Sequence, residues 1–110
     1  MPTAQADKLF IHSNPYFSMK REERIAKIKQ ILKKHKIKKA YFFGSFARKE
    51  KRYKDIDIAI RPPSRAFSLL DLVGIEQEME EKIGKDVDLM TIKSISPYFK
   101  PYIKKDMVPI

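Results

Sequence analysis

Two aspartates inside an apolar segment constrain the fold of this chain more than any other feature. The segment reads DIDIAI, residues 55–60, and its alternation predicts a β-strand that ends before a pair of prolines. Because side chains at positions i and i+2 of a strand share a face, Asp55 and Asp57 project together and the isoleucines face the other way. We therefore expect a sheet with one buried face and one face that carries paired carboxylates.

The segments before this strand predict a helix and a partner strand. Apolar residues recur at helical spacing from Ile25 to Leu32 with lysines between them, which predicts an amphipathic helix of about four turns with Ser18 as its N-cap. The segment IKKAYFFGS is rich in β-branched and aromatic residues and predicts a strand that stops at Gly44.

A second helix and a third strand follow the aspartates. Residues 68–83 predict a helix that Gly84 closes. The segment DVDLMTI predicts a strand with Val87, Leu89 and Ile92 in the core. The tail is ambiguous between helix and loop, and DMVPI can add an edge strand, where its proline is tolerated. The apolar stripe of the second helix is predicted at Leu69, Leu72, Val73, Met79 and Ile83.

This order of elements predicts an α/β (α+β) fold, with a sheet of three or four strands and helices on one face. The chain has 110 residues, the length of one domain. We expect residues 1–18 to form a leader and residues 19–110 to form that domain. The absence of cysteine excludes a disulfide framework, a thiolate zinc site and a cysteine nucleophile. With no signal-peptide pattern and no apolar run long enough to cross a bilayer, we expect a soluble, cytoplasmic protein without membrane association.

The charge of the chain is unevenly distributed. The net charge is +10, and residues 20–54 contain 15 Lys and Arg but 3 Glu, whereas residues 55–110 contain 8 Lys and Arg and 10 Asp and Glu. A basic half followed by an acidic half favours a polyanion that approaches one face, such as a nucleic acid, a nucleoside triphosphate or an acidic protein. A lysine-rich surface that only maintains solubility explains the charge equally well.

The paired carboxylates predict a metal site. Two like charges at this distance raise each other's cost of ionisation, and a divalent cation such as Mg²⁺, which takes oxygen ligands, relieves it. A third carboxylate from the next acidic strand, where Asp86 and Asp88 share a face, would complete a two-metal site. The alternatives are a solvent-facing strand rim for the first pair and a turn residue for either later aspartate, with Asp86, close to Gly84, the more natural turn residue.

The turn at Gly44 and Ser45 supplies a complementary feature. A glycine at the end of a strand permits close approach of the backbone, and Ser45 at the start of a short helix offers its hydroxyl and helical N–H groups to phosphate. Glycine and serine together occur in many turns, so the combination matters more: strand, Gly-Ser, short helix, a gap of nine residues, an Asp-x-Asp strand and a further acidic strand.

Together, Gly44-Ser45, Asp55-x-Asp57 and Asp88 resemble the signature of the DNA polymerase β-type nucleotidyltransferase superfamily. Within it, the short length and the GSFAR segment resemble the minimal nucleotidyltransferases, antitoxin partners of HEPN-domain toxins. This resemblance covers about residues 20–92 and implies a mixed sheet. It further implies that Asp55 and Asp57 hold two Mg²⁺ ions and that Asp88 ligates the catalytic metal and helps to activate the attacking hydroxyl.

The same resemblance implies that Gly44 and Ser45 seat the β- and γ-phosphates of the nucleotide. Arg48 and the basic residues after it could contact the triphosphate or an acidic partner, or form a solvated face. The sequence departs from the family in two respects: Lys49 follows Arg48 where many minimal members have a glycine soon after, and the gap of nine residues is short. Both departures concern the loop conformation and not the carboxylates.

The resulting functional hypothesis is Mg²⁺-dependent transfer of AMP from ATP to a hydroxyl, with loss of pyrophosphate. By the resemblance, the acceptor is a tyrosine of a HEPN toxin, and the protein is the antitoxin of a type VII-like toxin–antitoxin pair, in a homo- or hetero-oligomer. One alternative is a non-catalytic module that neutralises its partner by contact. A third, less favoured, is a basic nucleic-acid-binding protein.

Overall fold

The computed structural model describes residues 19–110, and its elements follow the predicted order. The predicted leader, residues 1–18, lies outside the described residues. In chain order the elements are α1 (Arg21–Lys34), β1 (Ala40–Phe43), α2 (Gly44–Ala47), β2 (Asp55–Ile60), α3 (Leu69–Ile83), β3 (Asp86–Thr91), a 3-10 turn (Ile92–Ser94), α4 (Lys100–Asp106) and β4 (Val108–Pro109). Among these helices, none has the length and apolarity that a membrane crossing requires.

The four strands form one mixed sheet in the order β3-β2-β1-β4. Strand β1 is antiparallel to both β2 and β4, and β2 is parallel to β3. The short strand β4 lies at the sheet edge, where its proline breaks no interior ladder. The predicted fold class and the mixed sheet are confirmed.

The main core lies between one face of this sheet and the two long helices. Strand β2 contributes Ile56, Ile58 and Ile60 to it, and all three are fully buried. Burial of each such side chain contributes about 1.5–3 kcal/mol to folding. The other buried residues of this core are Ile28, Ile31 and Leu32 of α1, Ile37 after it, Ala40 and Phe42 of β1, Phe46 and Ala47 of α2, Ile75, Met79 and Ile83 of α3, and Val87 and Leu89 of β3.

A smaller cluster covers part of the opposite face. It contains buried Phe43, Ala59 and Ile95, against which partly buried side chains of the 3-10 turn and α4 pack. The prediction that Ile92 faces the main core is wrong, because the strand ends at Thr91 and Ile92 packs in this second cluster. On β2 the cluster covers Ala59, and on β1 it extends to Phe43, the register partner of Asp57.

The ends of the helices show which sequence signals were reliable. Helix α3 begins with a capping box between Ser68 and Asp71, and it ends at Gly84 in the left-handed conformation, as its sequence predicts. The predicted cap of α1, Ser18, lies outside the described residues. The position before α1 is occupied by Lys20, whose side chain makes no capping hydrogen bond.

The predicted apolar stripe of α3 is partly wrong. Leu69 and Val73 are 74% and 40% exposed, whereas Ile75, which the prediction omitted, is buried. The true stripe runs through Leu72, Ile75, Met79 and Ile83, and at 3.6 residues per turn Val73 lies about 120° around the helix from its centre.

Helix α3 also protects the outer edge of the sheet. Strand β3 is an edge strand, and its outward N–H groups at Val87 and Leu89 donate hydrogen bonds of 3.0 and 2.9 Å to the carboxylates of Glu80 and Glu76. These two hydrogen bonds hold α3 beside β3. They also occupy backbone N–H groups that would otherwise be open to pairing with a strand of another molecule.

Candidate active site

Strand register brings the predicted carboxylates together. Asp57 of β2 is the register partner of Asp88 of the parallel strand β3, and Asp55 is the partner of Asp86. Because the alternate residues of both strands are buried in the main core, all four carboxylates belong to the opposite face. Asp86 is therefore the first residue of a strand, and its interpretation as a turn residue is wrong.

Burial and charge both act on Asp57. Burial raises the pKa of the Asp57 carboxyl to about 6, and the carboxylates of Asp88 and Asp55 add to this rise, while the Arg48 guanidinium opposes it. Asp55 and Asp57 are half-buried and Asp88 is exposed. The three carboxylates are thus close enough to repel one another, and their repulsion is centred on Asp57.

The donor set fits a hard divalent cation, which takes carboxylate oxygens and relieves this repulsion. The side chains are not gathered around a common centre: in the part of the chain that the structure describes, no group of three or more His, Cys, Asp or Glu residues is arranged to hold a metal ion. The strand pairing places the aspartates on one face and makes Asp57 and Asp88 direct neighbours.

Gly44 is required by its closeness to Asp57. It lies at the junction of β1 and α2 with φ of +71°, and a Cβ atom there would collide with Oδ2 of Asp57. The sequence predicted close approach to a phosphate, whereas the structure shows close approach to a carboxylate. Ser45 follows in the first turn of α2, half-buried, and its hydroxyl makes no hydrogen bond within the described residues.

A cluster of tilted and edge-to-face aromatic rings anchors the short helix α2. Phe46 is fully buried, with its ring centroid 4.9 Å from that of Phe42 and 4.9 Å from that of Tyr53. The Arg21 guanidinium lies 3.9 Å from the centroid of the Phe46 ring, and Lys85 Nζ donates a hydrogen bond to the Tyr53 carbonyl. This aromatic cluster fixes both ends of the loop between Gly44 and Asp55. It was not predicted, although the aromatic residues on both sides of Gly44-Ser45 were a visible signal in the sequence.

Arg48 is held by two carboxylates. Its guanidinium donates hydrogen bonds to Oε2 of Glu50 at 2.6 Å and to Oδ2 of Asp106 at 2.9 Å, and these contacts raise the Arg48 pKa above its ordinary value. Asp106 ends helix α4, so Arg48 links the turn after α2 to the C-terminal segment. The sequence analysis did not identify Asp106 as a partner.

Lys49 takes the conformation that a glycine would favour. Its φ is +59°, and the amides of Lys49 and Glu50 donate to the carbonyls of Phe46 and Ser45, which completes a Schellman motif at the end of α2. The expected glycine is therefore replaced without loss of the turn, at a cost of about 1 kcal/mol for a left-handed residue with a side chain.

Known proteins resemble the chain in sequence and in fold. The profile of the family described as "Polymerase beta, Nucleotidyltransferase" matches residues 26–110. A protein of Methanocaldococcus jannaschii, provisionally named a protein adenylyltransferase, is 46% identical over 85 residues, which cover 76% of this chain and 90% of the relative.

Two solved structures show the same fold. One, described as a minimal nucleotidyltransferase on a provisional basis, superposes with a TM-score of 0.68 at 22% identity, covering 84% of this chain and 98% of the other. The other is a tri-AMPylated Shewanella oneidensis HEPN toxin in complex with MNT antitoxin, with a TM-score of 0.65 at 22% identity, covering 82% and 71% of the two chains. The sequence match, the mixed sheet and the shared face of Asp55, Asp57 and Asp88 agree, and the chain belongs to the polymerase β-type nucleotidyltransferase family.

Proposed function

We propose that this protein transfers AMP from ATP to a tyrosine hydroxyl of a HEPN-domain toxin, as the antitoxin of a type VII-like pair in the cytoplasm. The observation that carries the proposal is the placement of Asp55, Asp57 and Asp88 on one face beside the Gly44 turn. The named relative and the AMPylated toxin complex support the choice of a protein as acceptor.

The three carboxylates would hold two Mg²⁺ ions. Bound there, the metal would supply neutralisation of the triphosphate charge and a lowered pKa of the attacking hydroxyl. Asp57 lies between Gly44 and Asp88, so it is the central donor of the set. Asp88 is the most exposed of the three and is best placed to meet an acceptor and take up its hydroxyl proton.

The turn after β1 would seat the phosphates. Gly44 leaves the space beside Asp57 free of a side chain, and Ser45 has a hydroxyl that no described residue engages. Arg48 is committed to Glu50 and Asp106, so its role would be to fix the turn and to add positive potential near Asp57 rather than to clamp phosphate alone.

The acceptor would be presented by the partner. We propose that residues 19–110 form one nucleotidyltransferase domain. Helix α4 and the 3-10 turn cover the face of the sheet around Ala59, whereas Asp88 stays exposed. The exposed carboxylate end leaves room for a side chain delivered by another protein.

The test is transfer of label from ATP to the HEPN partner with Mg²⁺ present. Intact mass should increase by one or more AMP groups, and a tyrosine-to-phenylalanine change at the modified site should remove the increase. The Asp55→Asn/Asp57→Asn variant should add none while it still binds the partner. If that variant neutralises the toxin as well as the unmodified protein does, contact is the mechanism and the proposed catalytic function fails.

A further inference from the structure

Besides the basic loop of residues 49–54, the protein has a basic surface away from the carboxylates. We call this surface the distal basic band, and it lies along two shallow recesses. A recess of 180 Å³ is lined by lysines of α1 and the following turn together with apolar side chains. A second, of 260 Å³, is lined by the segment between α1 and β1 and the segment after β2. Lys38 lines both recesses and makes the band continuous. The band consists of Lys29, Lys33, Lys36, Lys38, Lys39 and Arg61.

The band lies at the opposite end of the sheet from the candidate active site. The amide of Arg61 donates a 2.9 Å hydrogen bond to the carbonyl of Lys39, so these two cations extend the β1–β2 ladder beyond its last pair. Asp55 begins β2 and Arg61 follows its end, a separation of about 20 Å at roughly 3.3 Å per residue. The band is therefore not part of the site that binds the nucleotide.

The positive charges of the band are uncompensated. All six residues are exposed, and none makes a side-chain hydrogen bond or ion pair with any residue from 19 to 110. No acidic residue lines either recess. At the nearby end of α1, the carboxylate of Glu78 contacts Lys34 and His35. It therefore does not neutralise any residue of the band.

This arrangement costs stability in the isolated protein. Like charges directly opposite in a strand pair are destabilising, as are like charges four residues apart on a helix, which is the spacing of Lys29 and Lys33. Lys36 adds backbone strain, because it ends α1 in the left-handed conformation with φ of +60°. An anion with several charges would offset the charge repulsion, but not the backbone strain at Lys36.

The composition of the band identifies the kind of anion. Neither recess is lined by an aromatic side chain. Protein interfaces are enriched in aromatic residues and depleted in lysine, and single-stranded nucleic acids are held by stacking on aromatic rings. The exposed large apolar side chains instead lie on α3 and in the C-terminal segment, at Leu69, Leu70, Val73, Tyr98, Phe99, Tyr102 and Val108. A lysine-rich surface without aromatic side chains is suited to contact the regularly spaced phosphates of a nucleic-acid backbone.

We propose that the distal basic band binds the phosphodiester backbone of a nucleic-acid double helix. The expected contacts are with phosphate, which carries no base identity, so the binding should show no base preference. This binding is independent of the carboxylates and of nucleotide transfer.

The experiment uses two variants with equal loss of charge. Lys38→Gln/Lys39→Gln/Arg61→Gln neutralises the band, and Lys51→Gln/Arg52→Gln/Lys54→Gln neutralises three exposed cations of the loop before β2. Fluorescence anisotropy measures binding of the full chain to labelled duplex DNA, duplex RNA and the separate strands over a range of salt. Thermal melting confirms that both variants fold, which exposed positions permit.

The band variant should bind either duplex about tenfold more weakly at low salt, and the slope of log affinity against log salt should fall by about one per lost contact. The loop variant should keep most of its affinity, and the duplexes should bind more tightly than their single strands. Equal losses in the two variants, tighter binding of single strands, or no duplex binding at low salt would overturn the proposal. Equally tight binding of poly-L-glutamate would overturn it in favour of an acidic protein.

Discussion

The two faces of strand β2 differ in what their residues do, although they come from the same six residues. Ile56, Ile58 and Ile60 are fully buried between the sheet and the long helices. On the other face, Asp55 and Asp57 are half-buried carboxylates, and burial, together with the charges of Asp88 and Asp55, raises the pKa of Asp57 to about 6. One face therefore provides stability, and the other carries an electrostatic cost that either protonation of Asp57 or a bound cation would relieve.

The carboxylate face is itself divided. Its third member, Ala59, is fully buried beneath the 3-10 turn and α4, so the face changes from charged to apolar within two residues. The end of β2 can thus be packed on both sides while its beginning stays open. A rigid, doubly packed end holds the register that places Asp57 beside Asp88.

The largest expected effect is on catalysis from the carboxylate face. Asp57→Asn should reduce AMP transfer by about a thousandfold or more, because it removes the carboxylate that we propose as the central metal donor. Above pH 6, the melting temperature without metal should stay the same or rise, since the substitution removes a repelled, partly buried charge. Label transfer and thermal melting are measured on the same preparation. A variant that loses both activity and folding would show that Asp57 is structural.

A substitution on the buried face of β2 should lower stability and leave ATP affinity unchanged. Ile58→Ala leaves a cavity in the main core and should lower the free energy of unfolding by about 2–5 kcal/mol. At a temperature where the variant is folded, its affinity for ATP should be close to that of the unmodified protein. Denaturant titration gives the first quantity and calorimetry the second. A small loss of stability with a large loss of ATP affinity would contradict the division between the faces.

Local patterns predicted much of this division. The alternation of DIDIAI identified the faces, and the apolar periodicity together with Gly84 placed α3 at about residues 68–83, because these signals depend on a few neighbouring residues. The apolar stripe of α3 was partly wrong, because leucine and valine in the first turns contribute to any helical pattern whether or not a sheet lies beneath them. Only packing shows that Ile75 and not Val73 faces the core.

Long-range contacts were beyond sequence reasoning. The pairing of Arg48 with Asp106 joins residues 58 positions apart, and Glu76 and Glu80 became edge acceptors only because α3 lies beside β3. The requirement for Gly44 was predicted, but its cause was not, since the collision with Asp57 depends on how β1 and β2 pair. The roles assigned to the site residues remain predictions.

A double-mutant cycle measures how Gly44 serves the carboxylate face. Gly44→Ala should cost about 1–3 kcal/mol, because it combines a left-handed conformation with a collision against Asp57 Oδ2. In an Asp57→Ala background the collision is absent, and only the backbone cost of about 1 kcal/mol should remain. Chemical denaturation of the four proteins gives the coupling energy. Equal costs in both backgrounds would mean that Gly44 is only a turn residue.

The raised pKa of Asp57 predicts a pH dependence of stability. A carboxyl whose pKa is about 6 in the folded state and 3.8 when unfolded binds more protons when folded, so its contribution to stability falls as the pH rises from about 4 to about 6. The loss should be of order 1 kcal/mol, allowing for its partial exposure. The difference in melting temperature between the unmodified protein and Asp57→Asn should therefore grow across this range. A constant difference would show that the Asp57 pKa is the same in both states.

The smallest effect concerns two lysines that share one backbone conformation at the two ends of the molecule. Lys49 ends α2 near the carboxylates, and Lys36 ends α1 in the distal basic band, each within a Schellman motif and each with φ near +60°. Glycine at either position should raise the free energy of unfolding by up to about 1 kcal/mol, because it removes the left-handed strain. Chemical denaturation should give the same gain for Lys49→Gly and Lys36→Gly. Only Lys49→Gly should weaken ATP affinity if its charge serves the triphosphate, and only Lys36→Gly should weaken duplex binding. Equal stabilisation with no change in either affinity would mean that neither lysine is used for its charge.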